Sequence, residues 1–357
     1  MNRRKFLETS GTAAGAAIFG GVSPSTNQIS PAKQEQKTQK TGKIKLGLYS
    51  ISYGGIWYKG AALSFDELCR YAKQYGYEGI ELDNKRPMGN PMDLDQRRRD
   101  EMHNSLVKYG LEMPCIAANN DFSSPIPEHR ECQLLMVRET ARLAKDMGAK
   151  IVRLFAAWQG VPIHEGVGTY DFVHGDGFYT FMRQYPYVTW IDRYNFVKDC
   201  LKESAKIGEE NGVVMALQNH APLIRNWRDT YDLVKEVNSP WLKVCADLPI
   251  FDKQDKEYIA NALQTIGNLQ VHSHFGGEYF RDENNVIKPK MLDYYAGGIM
   301  PDYSHYIQLM NEIGFNGYFT FELCHPLFNK DHSGAGIEFV HEQVALAREY
   351  LANIINK

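Results

Sequence analysis

From about residue 43 to the end, the chain repeats one unit: a short apolar run, a stretch with apolar residues three and four apart, a glycine, then another apolar run. Eight such runs can be read, at KIKLGLYSI, GIELD, EMPCIAA, IVRLFAA, VVMALQN, LKVCADL, LQVHSHF and YFTFELC. Between them, Phe65-Leu68-Cys69-Ala72 and Leu134-Val137-Ala141-Ala144 carry helical periodicity. Tyr75-Gly76, Met147-Gly148, Asn211-Gly212 and Ile313-Gly314 supply the glycines with which helices close. Strand, helix, glycine, strand calls for a parallel sheet, because each helix must return the chain to the same end before the next strand. Eight units without a second-domain pattern predict an α/β fold, a single (β/α)8 TIM barrel over residues 43–357.

Residues 1–42 follow another rule. Asn2-Arg3-Arg4-Lys5-Phe6-Leu7 is a twin-arginine pattern, and the Ala/Gly-rich stretch from Gly11 to Val22 is too short and too weakly apolar to span a bilayer. Ser23 to Lys40 is a polar, Gln- and Lys-rich linker. We expect a twin-arginine export signal with a flexible linker, and a periplasmic location for the folded domain. No cysteine stands near the start, which argues against a lipid-anchored N-terminus, and no later stretch predicts a membrane span. The six cysteines lack CxxC spacing; Cys115, Cys245 and Cys324 read as small core residues. With a net charge of -3 and the Arg97-Arg98-Arg99 run flanked by Asp95, Asp100 and Glu101, nucleic acid is not favoured as a partner. An oligomer is compatible with this composition.

In a parallel barrel the C-terminal ends of the strands ring one mouth. Gln218, Asp247, His274 and Glu322 end the last four apolar runs, at separations of 29, 27 and 48 residues, and so converge there. Two carboxylates, an imidazole and an amide oxygen suit a divalent Mn, Mg, Co or Zn ion. His272 shares the parity of His274 but lies one layer deeper. Glu81 and Asp83 end the second run; Glu81 is expected to orient substrate or a ligand, with Asp83 capping the loop. His220 stands two residues beyond Gln218, as a proton-transfer group or a solvated loop histidine. A long aromatic insertion between Ala157 and Trp190 should lie over the mouth. Its Trp158, Tyr170, Phe172, Phe178 and Tyr179 either stack on a sugar or pack the loop on itself. A second long loop, Glu278 to Pro301, carries Arg281, Asp282 and Tyr294.

This order of motifs resembles the xylose isomerase-like barrel superfamily, the sugar phosphate isomerases and epimerases with an endonuclease branch. The resemblance covers essentially all of residues 43–357. It implies a carbohydrate substrate and a divalent metal on Asp247, His274 and Glu322, with Gln218 in place of a proton-transferring glutamate. His272 to Arg281 is similar to an HxHxGExxR-like segment, which implies that Arg281 meets substrate oxygens. Two departures stand out. An amide at Gln218 takes up no proton at neutral pH, and Asp247-Leu248-Pro249-Ile250 lacks the family's histidine three residues on. Glu322 then remains as one base, with His220 as candidate for the second. The expected activity is metal-dependent enolisation by an isomerase or epimerase. The alternatives are an exported lyase or hydrolase on 3-keto-glycosides and a sugar-binding pseudoenzyme. An endonuclease-like phosphodiesterase would need further metal ligands and a basic face, and neither is found.

Overall fold

A computed structural model describes residues 43–164, 166–169 and 184–356. The Arg3-Arg4 signal, the linker, and Tyr170, Phe172, Phe178 and Tyr179 lie outside the described residues.

All eight apolar runs form parallel strands: β1 Lys45–Tyr49, β2 Gly79–Asp83, β3 Cys115–Ala117, β4 Ile151–Leu154, β5 Val214–Gln218, β6 Leu242–Cys245, β7 Ser273–Gly276 and β8 Tyr318–Glu322. Among the described residues eight α-helices cover them: α1 Phe65–Tyr75, α2 Gln96–Tyr109, α3 Pro127–Met147, α4 Trp190–Asn211, α5 Trp227–Val237, α6 Lys256–Ile266, α7 Tyr303–Glu312 and α8 Ile337–Ile355. Local chemistry sets the helix ends. Ser64 and Glu67 form a capping box at α1, and Thr189 and Asp192 another at α4. Gly76 closes α1 at φ 86°, a conformation costly for any residue with a Cβ. The strands are buried on both faces, as GIELD shows with all five residues inside, which is why they read as apolar runs and not as alternation. The arginine run falls on the outer face of α2, where Arg97 pairs with Glu101 and Arg99 with Asp146. No helix among the described residues is long and apolar enough to cross a membrane.

The sheet runs β6-β5-β4-β3-β2-β1-β8-β7 and curls into a TIM-barrel-like ring. Its two ends, β6 and β7, meet across a seam with one parallel bridge, Val244 to Gln270. Side chains complete the seam. Gln270 accepts from the Ala246 N–H at 3.0 Å, and its amide nitrogen donates to the Ala246 and His272 carbonyls at 3.0 and 2.9 Å. Ser273 and Tyr306 hydroxyls also donate to the Ala246 carbonyl. Small antiparallel ribbons follow β4 (Ile163–His164 with Val167–Gly168) and β7 (Tyr279–Arg281 with Ile287–Pro289).

Candidate active site

The strand register decides which side chains meet. Residues two apart share a face of a strand. Arg153 on β4 pairs in register with Ala216 on β5, so Gln218 stands one inward position nearer the mouth. On β8, Thr320 pairs with His274, so Glu322 stands one inward position above it. Gln218 pairs with Cys245, and Asp247 follows one inward step later.

These positions build a continuous polar network in the barrel interior. Glu81 accepts from Arg153 Nε at 2.8 Å on one oxygen. Its other oxygen meets His272 Nε2 at 2.7 Å and His274 Nε2 at 2.6 Å. The second ring nitrogen of His274 lies 2.9 Å from Asp247 Oδ2, and its backbone N–H donates to Asp247 Oδ1 at 2.8 Å. Arg153 Nη1 donates to Gln218 Oε1 at 2.7 Å, and the Gln218 amide nitrogen donates to Asp247 Oδ2. Cys245 adds a weak thiol donor to Asp247 Oδ1 at 3.4 Å.

Burial alone would lower the His274 pKa, but Asp247 and Glu81 outweigh it and raise it to about 10, so the ring is an imidazolium here. Burial likewise opposes ionisation of Glu81, yet His274, Arg153 and His272 hold it well below the usual carboxylate range. Burial keeps His272 neutral by pushing its pKa down. Two carboxylates thus balance a guanidinium and an imidazolium in a water-poor interior. Such groups are tolerable only when paired.

Above this network opens a cavity of about 1400 Å³, larger than the roughly 300–1,000 Å³ of most small-molecule sites. Its floor and walls include Tyr49, Arg153, Gln218, His220, Glu322 and His325. Glu322 is only half-buried and opens to the cavity, while burial pushes its carboxyl pKa up against the pull of His274 and Arg153. A carboxyl held above its ordinary value at a cavity is suited to act as a general base.

The expected residues separate into three groups. Gln218, Glu322, His220 and Trp158 line the cavity. Trp158 is stacked on Phe155 at 5.6 Å and meets His220 edge-on at 4.7 Å. Glu81, His272, Asp247 and His274 are fully buried beneath the floor and do not line it, so the structure places Glu81 and His272 behind the cavity wall. Arg281 is not brought to the site. Gly277, at φ 98°, turns the chain into the ribbon after β7, and Arg281 points outward to pair with Glu349 at 2.6 Å on α8. That loop instead gives the cavity Glu278 and Tyr294. Glu278 is held by Lys290 at 2.6 Å and His325 Nε2 at 3.1 Å. Cys324 is also a cavity residue and not core. Arg153 was missed although its signal was present: a lone charge in the apolar run IVRLF, on the same strand face as Phe155.

Among the described residues, two compact groups carry metal-ligand atoms: Glu81–Cys115–His272 and Cys245–Asp247–His274. Both groups are buried below the floor. The second fits a small divalent ion better. Asp247 Oδ2 and His274 Nδ1 are 2.9 Å apart, close to the ~3 Å between neighbouring ligands around an ion with bonds of about 2.1 Å. The remaining His274 nitrogen is held by a carboxylate, Glu81, the usual way to orient a ligating imidazole. For an ion to bind there His274 would give up its Nδ1 proton; Asp247 and His274, with Cys245 beside them, would hold it, and Glu322 is not part of this compact group.

No curated protein sequence matches the chain. Among solved structures it is similar to a 3-keto-D-glucoside 4-epimerase from E. coli, with TM-score 0.59 and 16% identity over 88% of this chain and 100% of that one. A D-psicose 3-epimerase gives TM-score 0.62 and 14% identity over 88% of this chain and 100% of that one. An L-ribulose 3-epimerase gives 0.59 and 14% over 88% and 95%. At these identities the likeness shows the fold. The model of the xylose isomerase-like TIM barrel family matches residues 69–343, and this chain belongs to that family.

Proposed function

We propose that the protein is a sugar isomerase/epimerase-type enzyme that removes a proton beside the carbonyl of a keto-sugar, with Glu322 as the base. The observation that carries this reading is Glu322 itself: a carboxyl with a raised pKa, open to a large cavity at the C-terminal mouth, above a buried Asp247–His274 pair. Glu322 takes the proton from one carbon and returns it on the same face to the neighbouring, former carbonyl carbon, while the hydroxyl proton passes between the two oxygens, which interconverts ketose and aldose. A divalent ion on Asp247, His274 and Glu322 would polarise the carbonyl and make that proton more acidic. Trp158 and Phe155 offer an apolar wall, and Tyr49 and His325 polar groups, to a sugar's two kinds of surface. The structural neighbours named for keto-sugars support the choice of substrate class.

One observation favours elimination from a keto-glycoside over epimerisation. Inversion at carbon needs a proton donor on each face, and Gln218 can serve on neither. His220 lies in the cavity against Phe155 and Trp158, where it can protonate a departing oxygen after Glu322 has taken the carbon-bound proton. A cavity of about 1400 Å³ has room for a second sugar ring. We further propose that the Arg3-Arg4 leader exports the folded domain to the periplasm. The test is incubation of the purified protein with a panel of keto-sugars and 3-keto-glycosides in D2O. Deuterium incorporation or glycoside cleavage that disappears in E322Q supports the reading. Turnover that E322Q leaves intact, or binding without any exchange, sinks it.

A further inference from the structure

Gln218 carries an asymmetry that a carboxylate at the same place would not. Its oxygen accepts from Arg153 Nη1 at 2.7 Å and its nitrogen donates to Asp247 Oδ2. Turning the amide over would set its NH2 against the guanidinium, two donors face to face. It would also set its oxygen against the Asp247 carboxylate, two acceptors face to face. With Arg153 and Gln218 each 1% exposed, both mismatches are costly. Arg153 cannot withdraw, because Glu81 holds its Nε at 2.8 Å and its guanidinium lies over the Tyr49 and Phe155 rings at 4.8 and 4.9 Å.

We propose that Arg153 is a positioning residue that commits the Gln218 oxygen, so that Gln218 presents only N–H to the Asp247 side of the site and does not ligate metal. This rests on the metal reading above but concerns this chain's own residues. The ion is left with Asp247, His274 and Glu322. Arg153 supplies a fixed positive charge that stays whether or not the ion is bound. A glutamate here would satisfy Arg153 with one oxygen and still offer the other, so the amide, through Arg153, removes one of four corners from the ring.

The test is Mn2+ affinity of the full folded domain, measured by calorimetry for wild type, Q218A and Q218E, with circular dichroism confirming the fold of each. Wild type and Q218A should bind within about threefold of each other, and Q218E should bind at least tenfold tighter. Absence of binding by wild type with binding by Q218E also supports the inference, while removing the metal from the proposed function. A tenfold or greater loss in Q218A overturns it, and so does an absence of binding by both wild type and Q218E. Should Q218A fail to fold, a crystal structure of the Mn2+-loaded wild type decides. A Gln218 oxygen at bonding distance, about 2.2 Å, overturns the inference; an amide still turned to Arg153 supports it.

Discussion

Glu81 is the carboxylate on which the interior network turns, and E81Q tests that role with little change in volume. Its two oxygens serve three partners, Arg153, His272 and His274. Glutamine has one acceptor oxygen. Facing Arg153, it presents NH2 to the two imidazoles and loses the acceptor for His274; facing the imidazoles, it sets NH2 against the guanidinium. Either way Arg153 loses its nearest counter-ion and His274 loses one of the carboxylates that favour its charged form. Removing one partner of a buried ion pair costs about 3–5 kcal/mol. An unfolding entropy of about 2.1 cal/mol/K per residue, taken over roughly 315 residues, converts this to a fall in Tm of about 5–8 °C. Urea unfolding followed by circular dichroism gives the free energy, and scanning calorimetry the Tm. R153M and the double variant complete a cycle, in which the double should be milder than the sum of the singles by at least about 1.5 kcal/mol. An E81Q cost below about 1 kcal/mol, or strict additivity, would refute the network as described.

Other consequences are open to direct measurement. Q270A removes the side chain that closes the seam and strands the buried Ala246 N–H; we expect a loss of about 2–4 kcal/mol in urea unfolding, since each unpaired buried group costs about 1–3 kcal/mol. Burial would raise the Glu278 carboxyl, but His325 and Lys290 hold it below its ordinary value. Its stabilisation is therefore present above that ordinary value and fades as pH falls through the lowered one, so E278Q should flatten the acid limb of the stability–pH curve and leave the neutral plateau lower. W158A should weaken binding of a keto-sugar at least tenfold by calorimetry, as an apolar wall of the cavity is lost. R281A, which breaks an exposed pair with Glu349 and a long hydrogen bond to the Asn285 carbonyl, should change stability by under about 1 kcal/mol and leave that affinity where it was.

The eight strands and the helix-closing glycines were legible because both are local: an apolar run, its flanks and one Gly suffice. That Gln218, Asp247, His274 and Glu322 converge was legible because strand ends meet in a barrel, but that Asp247 and His274 lie below the cavity floor was not. Partner choice was not. Glu81 and Arg153 are 72 residues apart, and nothing in GIELD or IVRLF tells either of the other. Gln218 could be recognised as an unusual ligand, but the direction of its amide depends on that remote guanidinium. Arg281 was misplaced because the spacing from His274 takes no account of the turn at Gly277, which sends the next residues out toward α8. Tyr294, Glu278 and His325 come together from two loops, and only the fold joins them.

Between β6 and β7 the ring is fastened less by backbone than by side chains, and Asp247 and His274 stand on opposite banks of that gap. Whatever grips both residues also draws the two free edges of the sheet together. Occupancy of the site and closure of the barrel then draw on one shared free energy. A ligand that fills the pair should slow amide exchange along β6 and β7 more than along β2 and β3. A substitution that slackens the Gln270 clasp should weaken that ligand without touching it. The barrel is in this sense a hoop whose buckle is the Asp247–His274 pair.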